Sequence, residues 1–343
     1  MISFDVGNFT ICVDMRNMDK YGKLLSSIDS NFNQSLVNLS HEYQYYFNSL
    51  SVNKSEMIKI NLKASNEFEH DKMSDETIDN VDKYLASHDV PQIVELYNVM
   101  FPGKKCFRDN FVGVYKRQNL HNFRTEFYNI GINPKEIESL NLQEMVNYYY
   151  HYLQSEEQII DSDILGFILY ILYERIHPHE DGNGRIGRLL FIENVYHHAY
   201  FPFSVLLKKM RMENDLQHIY NHFNFPYILY SNVKGRRGDG DEDIGSLIEY
   251  PDKSLYLSIR VDDSILKYIV KLLCLCKEYK ILHEIFSKSK RCHEICAKLI
   301  RMERVSEDRI CEIIKDDELY DKFNKSRFNL ENHVEIIHTV MGN

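Results

Sequence analysis

Apolar residues recur at three- and four-residue spacing along most of the 343-residue chain, the signature of helices with one buried face. That spacing predicts helices over Leu24–Phe47 and Lys54–Phe68, with two shorter ones between residues 75 and 100. Helices over Leu142–Leu153 and Asp163–Ile176 follow, the second apolar nearly all round and therefore central to a core. A helix from about Gly184 to Tyr200, stopped at Phe201-Pro202, and another over Leu206–Phe223 continue the pattern. Past residue 250 it returns over Asp262–Tyr279, Cys292–Met302 and Ser306–Lys315. One stretch differs. In Phe111–Ile130, apolar residues flank the polar run Lys116–Asn122, which predicts a β-hairpin. The expected fold is mostly α with a single hairpin, divided into an N-terminal helical region (1–75), a central domain (76–230), a linker (231–250) and a C-terminal helical module (251–343). The linker holds the charged, glycine-rich Lys234–Asp243.

Composition narrows the function classes. Lys and Arg number 41 against 51 Asp and Glu, a net charge of −10, which disfavours non-specific nucleic-acid binding. The first ten residues lack the basic flank and apolar stretch of a secretion signal, and the longest apolar window, Ile164–Tyr173, is too short for a membrane span. The seven cysteines fall in no knuckle-like spacing; Cys274 with Cys276 and Cys292 with Cys296 lie in helical patterns and read as small buried residues. The expectation is a cytoplasmic protein with reduced thiols and no membrane contact. Tyr148-Tyr149-Tyr150 reads as a helix with one buried and two partly exposed rings, and Lys208–Arg211 as a solvated helix face.

Candidate chemistry concentrates in His177-Pro178-His179-Glu180-Asp181-Gly182-Asn183-Gly184-Arg185-Ile186-Gly187-Arg188. An apolar helix ends at His-Pro, a tight turn follows, and a new helix starts. Gly182 and Gly184 permit the positive φ of an anion-cradling turn, and the next helix opens with free backbone N–H groups. Arg185 and Arg188, three apart, share one face and suit phosphate. Asp181 beside them suits a divalent cation bridging to phosphate, and His177 is the group able to take a proton near neutral pH. Each fragment alone is ordinary; a base, a metal ligand, an anion nest and two arginines within one short segment are not.

This segment resembles the active-site motif of Fic-domain proteins, His-x-Phe-x-Asp/Glu-Gly-Asn-Gly-Arg-x-x-Arg, at every fixed position but one: His179 stands where the family has Phe. A histidine there can still pack, can loosen the loop, or can titrate and make activity pH-dependent. The resemblance spans about residues 100–225 and implies a helical core with a hairpin flap, so residues 76–230 become the expected catalytic domain. It implies transfer of AMP from ATP, with Mg²⁺, to a Ser, Thr or Tyr hydroxyl of a protein. By it, His177 is the base and Asp181 the metal ligand; Gly182, Asn183 and Gly184 form the anion hole; Arg185 clamps the β-phosphate and Arg188 the γ-phosphate. Asn122, Phe123, Arg124, Thr125, Glu126 and Phe127 fall where the family's flap docks a target as an added strand. Self-modification and a homodimer are compatible with the family.

Many relatives carry an inhibitory helix with Ser/Thr-x-x-x-Glu-Gly/Asn. Ser65 and Glu69 keep that spacing, with His70 where Gly or Asn is expected. A Glu69–Arg188 pair would remove the charge that orients the γ-phosphate. Other readings stay open: transfer of UMP, GMP or phosphate, removal of AMP, or, from another class, a regulator whose helices Cys292–Met302 and Ser306–Lys315 form a helix-turn-helix. Gly184 speaks against phosphate transfer, because that branch has Lys there. Glu303, Glu307, Asp308 and Glu312 offset Arg301, Arg304 and Arg309 and speak against DNA.

Overall fold

A computed structural model describes residues 1–26, 54–112, 114–118, 125–194, 196–197, 203–204, 207, 229–230 and 257–286. These are mostly helical, in the order β1 (Ile2–Val6), β2 (Phe9–Val13), α1 (Lys54–Phe68), α2 (Asp75–Ser87), α3 (Ile93–Met100), β3 (Val114–Gln118), β4 (Thr125–Asn129), α4 (Leu142–Gln154), α5 (Ser162–Ile176), α6 (Asn183–Arg188), a π-helical turn Leu189–Glu193, β5 (Leu229–Tyr230), β6 (Ser258–Val261) and α7 (Asp263–Phe286). Outside them lie most of Leu24–Phe47, nearly all of Leu206–Phe223 with Lys208–Arg211, the linker Lys234–Asp243, and the expected helices Cys292–Met302 and Ser306–Lys315.

Helix α5 is the axis of the core. All residues from Ile164 to Tyr173 are buried, as their apolar character requires, and Asp161 caps the helix by accepting from the N–H groups of Asp163 and Ile164 at 3.0 and 3.3 Å. Against it pack α4, α6, the π turn and α7. Helix α1 is pinned to α2: Ser55 Oγ donates to Asp82 Oδ2 at 2.5 Å and Lys59 pairs with Asp79 at 2.6 Å. Tyr196 reaches the same Asp82 at 2.5 Å, so the position of α1 is fixed from two sides.

Several expectations are corrected. The first residues are a β-hairpin rather than part of a helical region: Val6, Phe9, Ile11 and Val13 alternate inward, and Gly7, at φ +57°, makes the turn. A Cβ on Gly7 would come within 2.8 Å of the Glu144 side chain, so α4 presses directly on that turn. Strand β6 then pairs in parallel with β2, Ile11 opposite Ile259 and Val13 opposite Val261, and α7 joins the same core. The helix expected over Gly184–Tyr200 stops at Glu193. Tyr150 and Tyr149 donate hydroxyl hydrogens to the Leu190 and Phe191 carbonyls at 3.1 and 3.0 Å, and buried Glu193 accepts from the Ser204 N–H, so the next turn is not continued. In the tyrosine triplet two rings are therefore buried, not one: Tyr149 and Tyr150, with Tyr148 partly covered. Helix α7 runs on to Phe286, past the expected Tyr279.

The expected hairpin is present as β3 and β4, paired from Val114↔Asn129 to Gln118↔Thr125. It carries a third strand: β5 lies antiparallel on β4, Phe127 opposite Tyr230. Cys12 and Cys106 are not in disulfides. Among the described residues, no helix is long and apolar enough to cross a membrane.

Candidate functional site

The site forms where α5 ends. His177 takes a left-handed conformation, φ +52°, and its N–H still donates to the Tyr173 carbonyl at 3.0 Å, so the chain turns sharply and presents the ring beside the next loop. Two features missed in the sequence make this turn fit. Gly131 backs onto it so closely that a Cβ would sit 2.7 Å from His177 Cβ and 2.6 Å from Arg108 Nη2. Arg108 donates through Nε to the His177 carbonyl at 2.5 Å.

The His177 ring is largely buried, and its Nδ1 lies 3.2 Å from the Glu174 carbonyl. A carbonyl can only accept, so Nδ1 carries the hydrogen and Nε2 keeps its lone pair. Burial first, aided by the positive charge of Arg108, pulls the ring's pKa down to about 4, so it is neutral at pH 7 and able to accept a proton. Glu174 adds a carboxylate 3.9 Å from Nδ1, its own pKa pushed up to about 7 by burial.

His179 packs; it neither loosens the loop nor titrates near neutral pH. It is fully buried and stacked on Tyr97 at 4.3 Å between ring centres. Its Nδ1 donates to the Cys106 carbonyl and its Nε2 accepts from Tyr173 Oη, both at 2.5 Å. Burial pulls its pKa down to about 4. The position is thus filled by a packed aromatic ring held by two hydrogen bonds.

Asn183 has a different place from the one expected. Its Oδ1 accepts from the His179 N–H at 2.8 Å and its Nδ2 donates to the His179 carbonyl at 2.9 Å. The amide thus closes the loop on itself, and the side chain is a brace rather than an anion donor. Gly182 does adopt the positive φ, +88°, and abuts Phe101, where a Cβ would meet the ring at 2.5 Å.

Both arginines are buried and both are engaged. Arg188 donates from Nη2 to Glu69 Oε1 at 2.8 Å and to Ser65 Oγ at 2.9 Å. Burial works against its charge, but Tyr170, Glu69 and Glu193 outweigh that and raise its pKa. The structure thus brings the Ser65–Glu69 pair onto the second arginine across more than a hundred residues of sequence. Gly184 lies beneath: a Cβ there would be 2.7 Å from Arg188 Nη1 and 2.8 Å from Glu69 Oε1. The end of α1 is shaped for this contact. Asp71 N–H donates to the Asn66 carbonyl and His70 N–H to that of Glu67, a Schellman closure with His70 at φ +58°. That left-handed position explains why Gly or Asn suits it better than His.

Arg185 lies 4.7 Å from the centre of the Phe101 ring and donates to Asp181 Oδ1 at 2.5 Å. It also reaches Asp71 at 2.6 Å and Asn66 at 3.0 Å, two partners missed in the sequence although one lies between Ser65 and Glu69 and the other two residues past Glu69. Asp181 faces Lys104 as well, at 3.1 Å. Burial pushes its pKa up, but Lys104 and Arg185 outweigh this and hold it below the usual range.

Among the described residues no group of three or more His, Cys, Asp or Glu could cage a metal. Asp181, 45% exposed, is a single carboxylate paired with two cations, Arg185 and Lys104. Of the flap residues, Asn122, Phe123 and Arg124 lie outside the described residues; Thr125, Glu126 and Phe127 lie on β4. Strand β4 lies between β3 and the two-residue β5, which pairs only with Phe127 and Tyr128, so β3 and β5 are the outer strands of this sheet. Compared with known proteins, the chain matches no family model and no curated protein.

Proposed function

We propose that this chain is a Fic-type protein nucleotidyltransferase that moves AMP from ATP to a protein hydroxyl, held in check by Glu69. The observation that carries the reading is the meeting of two distant motifs. Residues 177–188 resemble a phosphate-transfer loop, Ser65–Glu69 resembles its inhibitory helix, and the two contact each other through Arg188 at 2.8 Å.

In this reading neutral His177 accepts the target hydroxyl's proton at Nε2 as that oxygen bonds to the α-phosphorus and the bond to the β-phosphate oxygen breaks. Arg185 neutralises charge gathering on the pyrophosphate, and Arg188, once Glu69 leaves it, orients the γ-phosphate. The backbone N–H groups of Gly182 and Gly184 line the same anion-binding turn. Asp181, now paired with Lys104 and Arg185, would be the residue to hold Mg²⁺, which would supply charge neutralisation for the departing pyrophosphate. Asn183 and His179 keep the loop in shape. The target is a protein segment bearing Ser, Thr or Tyr, added as a strand at the flap around residues 122–127.

The test is incubation of the full chain with each α-labelled nucleoside triphosphate and Mg²⁺, followed by mass spectrometry of modified residues. Label from ATP that disappears in His177→Ala supports the reading. Label that persists in His177→Ala removes the base assignment, and label only from another triphosphate corrects the nucleotide.

A further inference from the structure

Arg108 stands out as a buried cation whose guanidinium hydrogen bonds, among the described residues, all go to carbonyl oxygens. Only 5% of it is exposed. Nε donates to His177 O at 2.5 Å, Nη1 to Asn110 O at 3.0 Å and Nη2 to Ile132 O at 2.5 Å. These three carbonyls belong to different places. Asn110 precedes β3, Ile132 follows β4, and His177 is the turn at the end of α5. The backbone repeats the link on both sides: Arg108 N–H donates to Pro178 O at 3.0 Å and Ile132 N–H to Ile176 O at 3.2 Å. Gly131 leaves the room in which the guanidinium sits.

We propose that Arg108 is a positioning residue that locks both legs of the β3–β4 hairpin to the His177 turn, so that the flap and the base move as one unit. The inference rests on the reading of His177 as the base, but its test does not. A planar fork with fixed N–H directions holds three separated carbonyls in set positions, whereas a compact ammonium on a flexible stem has three donors but does not fix their directions. A second consequence follows from charge. Burial leaves Arg108 a pKa of about 10, so it stays protonated at pH 7. Its positive field disfavours a second cation on His177. The other groups acting on that ring are Glu174 on α5, Glu69 beyond the end of α1, and Asp181 and His179 on the loop. Glu69 and Asp181 favour protonation and Arg108 opposes them.

Arg108→Lys keeps the charge and loses the fork; Arg108→Gln loses both. The two variants separate the roles, and neither readout needs nucleotide. The first is hydrogen exchange of the amides in 114–118 and 125–129, expected to accelerate about tenfold or more in both variants. The second is the titration of the His177 ring by NMR, assigned by its loss in His177→Asn. Its midpoint should rise by about one pH unit in Arg108→Gln and stay near the wild-type value in Arg108→Lys. Unchanged hairpin exchange in a folded Arg108→Lys protein overturns the lock. Equal midpoints in the two variants overturn the charge effect. If the chain transfers no nucleotide at all, both measurements still stand, so the two readings fail separately.

Discussion

Replacing Glu69 by Gln removes one negative charge and little else. In the wild type, Arg188 is 2% exposed and its partner Glu69 37% exposed. Breaking a fully buried pair costs about 3–5 kcal/mol and an exposed one about 0–1 kcal/mol. A half-covered carboxylate on a buried guanidinium falls between, at about 1–2 kcal/mol. The folded protein should lose that much, seen as a fall in Tm of a few degrees. Activity should move the other way. If the pair blocks the γ-phosphate site, its release frees Arg188 by the same amount and raises label transfer from α-labelled ATP about 5- to 30-fold. The variant is thus expected to be less stable and more active, a combination that a purely structural ion pair does not produce. A lower Tm with transfer and ATP affinity both at wild-type values would refute the brake.

Three further outcomes follow from the same contacts. His70→Gly should stabilise the chain by about 1 kcal/mol in thermal denaturation, because it relieves a side chain at positive φ. His179→Phe should cost about 2 kcal/mol at pH 7, since Tyr173 Oη and the Cys106 carbonyl lose their buried partner. That deficit should shrink as pH falls. A ring neutral down to pH 4 when folded but protonated near 6.5 when unfolded contributes stability above 6.5 that is lost toward 4. The wild type alone loses it, by about 1.4 kcal/mol per pH unit, so denaturant melts of the two proteins should meet near about pH 5 and cross below it. Comparing the two matters, because buried Glu174 and Glu193, raised to about 7, stabilise the fold over nearly the same range in the opposite direction.

What was legible in the sequence was what is local. Helix α5 announces itself because apolar residues on every side leave it no exposed face, and α1 begins and ends where its periodicity does. The loop from His177 to Arg188 was readable because its groups are contiguous. Strands β1 and β2 are only five residues each, and their third neighbour, β6, lies at the other end of the chain, so no local pattern points to the pairing. The Gly7-Asn8 turn between apolar runs was the available signal. The stop at Glu193 depends on tyrosine hydroxyls from α4 that take the Leu190 and Phe191 carbonyls. Arg108 and Asp71 gain their meaning only from what the fold brings to them, and Asn183 shows the converse. Its residue type suits an anion hole, but the loop's geometry turns its amide inward.

The central claim is that the bond broken lies between the α- and β-phosphates. Incubating the Glu69→Gln protein with Mg²⁺ and ATP labelled either at the α- or at the γ-phosphorus tests it directly. The expected result is that α-label stays on protein, that γ-label leaves in pyrophosphate, and that adding His177→Ala removes the α-label. Retention of γ-label on protein, or α-labelling that survives without His177, would contradict it.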